Sequence, residues 1–272
     1  MEQGLREQIS SSDLIIVGIG SEWNWVKSGI KSDTRYANLL EYCNREGNQF
    51  LLPIVEYEYA CFNSDKRIED AYKALRALIG DKKYFLVSDI FLQDAPKFGF
   101  DESRCVYPCG NYKYLQTTNP DDELIEAEKV PVFTELVDSI HKIITELDGN
   151  IGDDSSFSSI FFDGKQLYLN QKRQEYSKIK YNEKSYIKTW EDYMAFLSRT
   201  LNSNLLILEL GVGLEYPTVV RWPFEKVTFI NKKAHLVRVH EKLYHHTPEI
   251  ENKTDSIQMN SVDYILQESK GL

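Results

Sequence analysis

Hydrophobic residues along the chain follow two alternating patterns. Between the strand-like segments, apolar residues recur every three or four positions in Asp70–Ile79 and Val132–Leu147, the spacing that buries one face of a helix. Short apolar strands that alternate with amphipathic helices predict an α/β domain with a mostly parallel sheet and helices on both faces. Five short apolar segments bounded by polar or turn residues are the predicted strands: Leu14–Val17, Gln49–Val55, Tyr84–Val87, Leu205–Leu210 and Leu236–Val239.

The region from about Asn111 to Thr200 differs in character, and we expect it to be an insertion. It contains the polar run TTNPDDELIEAE and the Ser/Asp/Gly-rich stretch GNIGDDSSFSS, which predicts a loop. Asp163-Gly164 lies between two β-rich runs, which predicts a hairpin. We therefore expect one domain from residues 1–110 and 200–272, and a small module from 111–199. Side chains at helical spacing near the end of this module predict a helix with one face on a core: Trp190, Tyr193, Phe196 and Leu197.

The charge balance argues against two classes of partner. Asp and Glu number 42 and Lys and Arg 32, which gives a net charge of -10. Binding to nucleic acid or to an anionic membrane surface usually needs an excess of cations, so we expect neither. No apolar run approaches the roughly 20 residues that span a bilayer, and the N-terminus MEQGLREQISSSD has no apolar signal core. A cytoplasmic location is therefore expected.

The cysteines and histidines do not predict a metal site. A structural zinc site usually has four ligands in two close pairs, and only Cys105 and Cys109 are close in sequence. The adjacent His245 and His246 have no further ligands nearby at a suitable spacing. We expect no zinc and ordinary reduced thiols, with a redox switch of Cys105 and Cys109 as the alternative.

The first candidate phosphate loop is LIIVGIGSEWNW, in which a predicted strand leads into Gly18 and Gly20. Ligands of open α/β sheets bind at the carboxyl ends of the strands, and glycine lets backbone N–H groups approach a phosphate. However, Glu22 and Trp23 follow where phosphate would be expected, and a carboxylate there repels pyrophosphate unless it points away. A tight strand-to-helix turn explains this loop equally well.

The second candidate loop is LLILELGVGLEYP, in which a longer and more apolar strand leads into Gly211 and Gly213. We expect this strand to be central in the sheet. Tyr216-Pro217 is expected to begin the next helix, because proline suits the first helical turn. Arg221 is either a phosphate ligand or a salt-bridged residue. Two such loops on neighbouring strands are suited to flank one dinucleotide.

These segments resemble the sirtuins. The run ILELGVGLEYPTVVRWPFEKVTFINKKAHLVRVH is similar to the C-terminal part of their NAD-binding domain, particularly in the bacterial branch linked to macrodomain proteins. YFLVSDIFLQDAPKFGFDESRCVYPCGNYKYLQ resembles a second family segment, and LIIVGIG resembles the Gly-Ala-Gly strand of the family. The match covers most of the chain in the correct order, and its most specific elements are Leu208–Gly213, Pro217, Trp222-Pro223-Phe224 and Ala234–His240.

The resemblance implies a Rossmann-like domain with an inserted small module, and NAD bound between them. Sirtuins cleave the nicotinamide glycosidic bond and pass ADP-ribose to an acyl-lysine or, in the macrodomain-linked branch, to protein side chains. A protein substrate or partner is therefore implied. By position, the resemblance assigns catalytic roles to Asp89 and Cys109. It assigns NAD or ADP-ribose binding to Gly18, Gly20, Ser21, Ser88, Asp89, Gly211, Gly213 and His240.

The departures from the family pattern fall on the chemistry. The Asn-(apolar)-Asp triplet is Asp-Ile-Phe here, so Asp89 replaces the amide and Phe91 the second carboxylate. The His or Gln before the family's Gly is Cys109, a poor base for a ribose hydroxyl. His240 stands where the family has the Asn that closes the last strand motif. SEWNWVKSG replaces a small Ala/Ser-rich segment, and TTNPDDEL and SIFFDG stand where the zinc cysteines belong.

Three hypotheses follow. We favour a sirtuin-like pseudoenzyme that binds NAD, ADP-ribose or a related nucleotide, or only a protein partner, without turning NAD over. The second is an active NAD-consuming enzyme in which Asp89, Glu22 or Cys109 has taken over catalysis. The third is a protein-interaction module that keeps only the fold. The direction of the Glu22 side chain discriminates among them. If it points to the nucleotide site, phosphate binding is hard to sustain, because uncompensated like charges about 4 Å apart cost several kcal/mol at moderate dielectric.

Overall fold

A computed structural model describes residues 4–152, 157–176 and 178–271 of the 272-residue chain. The chain forms two compact units. The first comprises Met1–Asn24, Asp65–Cys109 and Tyr186–Leu272, and the second comprises Trp25–Ser64 and Gly110–Ser185. The domain boundaries predicted above, at 110/111 and 199/200, stay a prediction.

The described residues form ten strands and nine α-helices. The strands are β1 Leu14–Ile19, β2 Lys83–Ser88, β3 Cys105–Val106, β4 Gly110–Gln116, β5 Ile125–Glu126, β6 Ile160–Phe162, β7 Lys165–Gln171, β8 Leu205–Leu210, β9 Ala234–Val239 and β10 Thr254–Ile257. The helices are α1 Leu5–Ser11, α2 Trp25–Ser32, α3 Ala37–Cys43, α4 Leu52–Phe62, α5 Lys66–Ile79, α6 Pro131–Glu146, α7 Ile187–Ser198, α8 Arg221–Ile230 and α9 Ser261–Glu268.

The first unit contains a parallel sheet, which confirms the predicted α/β, Rossmann-like fold class. Its six strands, counted over the described residues, have the order β10-β9-β8-β1-β2-β3, and all paired neighbours run parallel. β1 and β8 pair in register from Leu14 opposite Leu205 to Ile19 opposite Leu210. Every residue of β8 is buried, as expected for an apolar strand between two neighbours. Four of the five predicted strands are confirmed.

The predicted strand Gln49–Val55 is wrong. A short 3-10 turn, Gln49–Leu51, leads here into helix α4, which buries Ile54 and Val55. Pro53 lies in the first turn of α4, where a residue without an N–H is tolerated because that turn has no intrahelical acceptor for it. A short apolar run does not by itself distinguish a strand from a buried helix, and the proline was the signal that favoured the helix.

The helix expected to begin at Tyr216-Pro217 begins instead at Arg221. Val219 N donates to Tyr216 O at 3.0 Å, so the proline lies in a turn that precedes the helix. Pro223 occupies the first turn of α8, where proline is tolerated.

The other predicted elements are found in the structure. The two amphipathic patterns belong to α5 and α6, and the aromatic helix is α7, with Tyr193 buried. Asp163 and Gly164 join β6 to β7 with φ of 48° and 73°, a hairpin turn that favours Asp-Gly. Part of the loop predicted from GNIGDDSSFSS, residues 153–156, lies outside the described residues.

The second unit is built around an antiparallel sheet of order β5-β4-β7-β6. Helices α2, α3, α4 and α6 belong to the same unit, and α4 packs on α6 and α2. In the described part of the chain, no helix has the length and apolar character needed to cross a bilayer. The cytoplasmic location stays a prediction.

Candidate functional site at the carboxyl edge of the parallel sheet

The glycine turns after β1 and β8 lie against each other. Gly20 N donates to Leu210 O at 3.0 Å, and Glu22 N donates to Gly211 O at 3.2 Å. A Cβ atom on Gly20 would lie 2.4 Å from Val212 Cα, which is backbone that cannot easily move. Parallel pairing of β1 with β8 therefore brings the two loops together, and glycine is required for this approach.

Gly18 has a different role from the other turn glycines. It lies inside β1, and a Cβ atom there would be 2.4 Å from Val220 Cγ1 and 2.7 Å from the Phe224 ring. Both of these side chains are buried, and Phe224 belongs to α8. Gly18 thus allows close packing of this segment on the sheet.

The turn after β8 carries a run of unused hydrogen-bond donors. Gly211 has φ of +65°, and a Cβ atom there would lie 2.5 Å from Glu22 Cβ. Within the described residues, the amide N–H groups of Val212, Gly213 and Leu214 donate no hydrogen bond, although Val212 and Gly213 are buried. Buried backbone N–H groups are almost always paired, so this run is a candidate anion cradle.

The Glu22 carboxylate is held within the first unit. Oε1 accepts from Glu241 N at 2.8 Å, and Oε2 accepts from Ser261 N at 2.7 Å. Ser261 is the first residue of α9, whose unpaired N–H groups and dipole favour a negative charge. The charge of Glu22 is therefore compensated, but the same two amides are no longer donors for a phosphate.

Trp23 is a core residue and not a stacking platform. It is fully buried, and its Nε1 donates to Ser261 Oγ at 3.1 Å. Its ring meets the edge of Tyr72 at a centroid distance of 4.7 Å. Trp25 belongs to the second unit, where it is buried beside Tyr59.

His240 acts as a hydrogen-bond acceptor at the end of β9. Its Nδ1 accepts from Lys242 N at 3.0 Å and from Leu243 N at 3.2 Å. Burial lowers the pKa of His240, although the nearby Glu22 raises it. Glu22 Oε1 also lies 3.2 Å from Nδ1. Because Nδ1 accepts from backbone N–H groups, we interpret this distance as simple proximity and not as an ion pair. The imidazole replaces the capping oxygen that an Asn side chain offers at such a turn.

A buried charge cluster lies on β8 and β9 and was missed by the sequence reasoning. Glu209 pairs in register with Arg238, and Arg238 Nε and Nη2 lie 2.7 and 2.8 Å from the two carboxylate oxygens. Arg238 Nη1 also donates to Glu225 Oε1 and to His245 O, each at 2.7 Å. The available signal was the presence of Glu and Arg inside two strands that are otherwise apolar, since a buried charge needs a partner.

Arg221 belongs to the same cluster. Its Nη1 lies 3.4 Å from Glu209 Oε1, and its Nη2 donates to His245 O at 3.0 Å. Burial lowers the pKa of Arg221, and the neighbouring Arg238 lowers it further. Burial raises the pKa of Glu209 despite the two arginines that lower it. Arg221 was expected to be either a phosphate ligand or a salt-bridged residue, and these contacts favour the salt-bridged residue.

The segment after β2 lies at the same edge as the glycine turns. Ser88 pairs with Ile19, and Asp89 N donates to Ile19 O at 3.1 Å. Ser88 and Asp89 are buried, and Phe91 packs near Tyr216 at a centroid distance of 6.4 Å. The sheet thus brings Ser88 and Asp89 to the end of β1, next to Gly20.

Cys109 is completely buried at the end of the first unit. Burial raises the pKa of its neighbour Cys105 to about 12, which disfavours a reactive thiolate there. No two cysteines among residues 4–152 form a disulfide. In the parts of the chain that the structure describes, no group of three or more His, Cys, Asp or Glu side chains is arranged to hold a metal ion. The expected absence of zinc stays a prediction.

Comparison of the sequence with known proteins gives one weak relative. No family model matches the chain. A protein of Fusarium oxysporum f. sp. cubense described as a probable bifunctional ADP-ribose hydrolase/ADP-ribosyltransferase is 28% identical over 144 residues. The alignment covers 52% of this chain and 23% of the relative, so the chain spans less than a quarter of the relative's length.

Comparison with solved structures identifies the fold. A Sir2 homologue mutant in complex with 2′-O-acetyl ADP ribose superimposes with a TM-score of 0.52 at 11% identity, covering 99% of this chain and 96% of that one. A structure described as a structural basis for the mechanism and regulation of Sir2 enzymes gives a TM-score of 0.52 at 14% identity, covering 99% of each chain. The chain therefore has a sirtuin-like fold, as the sequence resemblance predicted.

Proposed function

We propose that this protein binds NAD or ADP-ribose at the carboxyl edge of its parallel sheet and does not turn NAD over. The observation that carries the proposal is the run of three unused amide N–H groups at Val212, Gly213 and Leu214, directly beside the turn that contains Gly20. Such consecutive donors at a glycine turn bind phosphate oxygens. The sirtuin-like fold, one example of which is titled as a complex with 2′-O-acetyl ADP ribose, supports the same ligand class.

Glu22 determines where the phosphates bind. It already occupies the amides of Glu241 and Ser261, and its side chain covers Gly211. On the other side of the turn, the atom nearest to a Cβ built on Gly213 is Ser21 Oγ, 3.2 Å away. The pyrophosphate therefore binds on the Gly213 side, and the other ligand contacts come from the nearby Gly20, Ser21, Ser88 and Asp89.

The side chains that replace the family's catalytic groups favour binding without turnover. Phe91 stands at the position of a carboxylate, and it is buried. Cys109, at the position of the base, is fully buried, and a thiol is a poor proton acceptor from a ribose hydroxyl. Asp89 remains as an ionisable group near the glycine turns, and it is therefore the residue to test for residual activity.

Calorimetric titration with NAD and with ADP-ribose tests the binding site. Gly213→Asp adds a carboxylate beside the proposed phosphate. Repulsion between these two negative groups at about 4 Å should weaken the binding of both nucleotides tenfold or more. Gly213→Ala is the matched control, because a methyl group needs a shift of only a few tenths of an ångström at Ser21. It should change the affinity less than about threefold. If neither nucleotide binds to the wild-type protein at millimolar concentration, the proposal is contradicted.

A nicotinamide-release assay tests the second half of the proposal. We expect no release by the wild-type protein when NAD is bound. Release that is abolished by Asp89→Ala and retained by Gly213→Ala would identify an active enzyme, with Asp89 as the group that stabilises the developing positive charge on the ribose.

The outer face of α8 favours a second candidate, a protein-interaction module. Trp222 and Phe229 are 56% and 59% exposed, and Ile230 beside Phe229 is 53% exposed. Exposed aromatic residues grouped on one element are typical of contact surfaces. If neither nucleotide binds, this face is the part of the first unit that would carry function, and Trp222→Ala should then weaken partner binding while leaving stability unchanged.

A further inference from the structure

A surface cavity of about 510 Å³ lies at the amino-terminal edge of the parallel sheet. Its walls are the first residues of β2, the turn before β3 and one face of α7. β2 runs from this cavity to the glycine turns at the other edge, and six strand residues span roughly 17 Å. The cavity is therefore separate from the site proposed above, although its volume is also that of a small-molecule site.

The cavity concentrates positive charge in a chain whose net charge is -10. Lys83, Arg104 and Arg199 border it from three different elements. Within the described residues, the side chains of Lys83 and Arg199 form no hydrogen bond or ion pair. The Arg104 guanidinium lies 5.6 Å from the Tyr84 ring centroid, and its Nε is 3.5 Å from an Asp101 oxygen. Among the residues that the structure describes, two of the three cations thus have no internal partner.

The face of α7 that borders the cavity adjoins the side chain that holds the helix in place. Tyr193 anchors the helix, because it is buried and its ring lies 5.2 Å from that of Phe85. Asp192, Phe196 and Arg199 follow at i, i+4 and i+7, so they share one face, and Phe196 is also the i+3 neighbour of Tyr193. This face offers one carboxylate, one half-buried aromatic ring and one guanidinium to the cavity.

We propose that this cavity binds a mononucleotide-type ligand, a planar base and ribose that carry a phosphate. Arg199 and Lys83 bind the phosphate, since guanidinium and ammonium groups are the usual donors to it. Asp192 accepts from ribose hydroxyls, which a neutral or cationic side chain cannot do as well. The Phe196 ring, 5.8 Å from Phe85, contacts the base.

Titration of the full chain with AMP, followed by calorimetry, tests this site. Removal of one charge-assisted hydrogen bond weakens binding about tenfold, so Arg199→Gln should do so. Lys83→Gln should weaken AMP binding several-fold. Lys226→Gln on α8 removes the same charge away from the cavity and should leave the affinity unchanged. Inorganic phosphate should compete with AMP, and adenosine should bind much more weakly.

The variant Gly213→Asp separates this proposal from the proposed function. We expect this variant to weaken NAD binding at the glycine turns and to leave AMP binding at the cavity intact. AMP binding that is lost in Gly213→Asp and retained in Arg199→Gln would assign AMP to the glycine turns and overturn the cavity proposal. Absence of AMP binding at millimolar concentration also overturns it, as does binding of an acidic peptide in place of AMP.

Discussion

The two edges of the parallel sheet use their charged side chains in opposite ways. At the carboxyl edge, Glu22 accepts from two backbone amides and Glu209 is paired with Arg238. At the amino edge beside β2, Lys83 and Arg199 have no internal partner among the residues described here. Charges of the first kind hold the fold together, and charges of the second kind are available to a ligand. The same substitution should therefore affect stability at one edge and binding at the other.

The largest effect is expected from Arg238→Met. This change removes the closer of the two guanidinium groups from the buried Glu209 and leaves only Arg221, whose Nη1 lies 3.4 Å from Oε1. Loss of one partner of a buried ion pair destabilises a protein by about 3–5 kcal/mol. Urea unfolding of the purified variant measures the loss. The double variant Glu209→Leu with Arg238→Met should recover part of it, because the buried Glu209 carboxylate is removed together with its partner, although Glu225 and Arg221 each lose an ion pair. A loss below about 1 kcal/mol in the single variant would show that the cluster does not hold β8 and β9 together.

Glu22→Ala should have the next largest effect. It leaves the amides of Glu241 and Ser261 without acceptors. A hydrogen bond to a charged group is worth about 1.5–3 kcal/mol, and water can replace the acceptor at the exposed Glu241, so we expect a loss of about 2–4 kcal/mol. Glu22→Gln keeps an acceptor oxygen and should lose less. The same Gln variant should bind NAD more tightly by a few-fold, because one negative charge near the pyrophosphate is removed. Weaker NAD binding by Glu22→Gln would place the pyrophosphate away from the Gly213 turn.

The sequence predicts the fold better than the site, for a physical reason. β8 is predictable because LLILEL is apolar throughout, and α5 because its apolar residues have helical spacing. The destination of the Glu22 carboxylate depends on Ser261, which is 239 residues away, and the spacing of nearby residues carries no information about such a contact. Glu209 was visible in the sequence as a charge in an apolar strand, but its partner followed only from the strand order.

A smaller effect on the free energy of unfolding is expected when the pH is lowered. Burial lowers the pKa of His240 below its ordinary value near 6.5, so the unfolded chain binds the proton more readily than the folded one. The contribution of this group to stability is therefore present above about pH 6.5 and is lost as the pH falls below it. We therefore expect the free energy of unfolding to fall between pH 7 and pH 5.5. In His240→Asn, whose amide oxygen can accept from the same backbone N–H groups, this part of the pH dependence should disappear. Identical pH profiles of the two proteins in urea unfolding would contradict the assignment of His240 as a neutral acceptor.

The smallest effect on stability is expected from Arg199→Gln, and it is the direct counterpart of Arg238→Met. Arg199 follows the last turn of α7 and is exposed, and a surface substitution without a partner changes stability by less than about 0.5 kcal/mol. Urea unfolding in the absence of nucleotide should therefore superimpose on that of the wild-type protein. With saturating AMP, the wild-type protein should gain stability that Arg199→Gln does not, because only ligand binding links this side chain to the folded state. A loss of more than about 1.5 kcal/mol without AMP would make Arg199 a structural residue, and the two edges would then not differ in the way their charges are used.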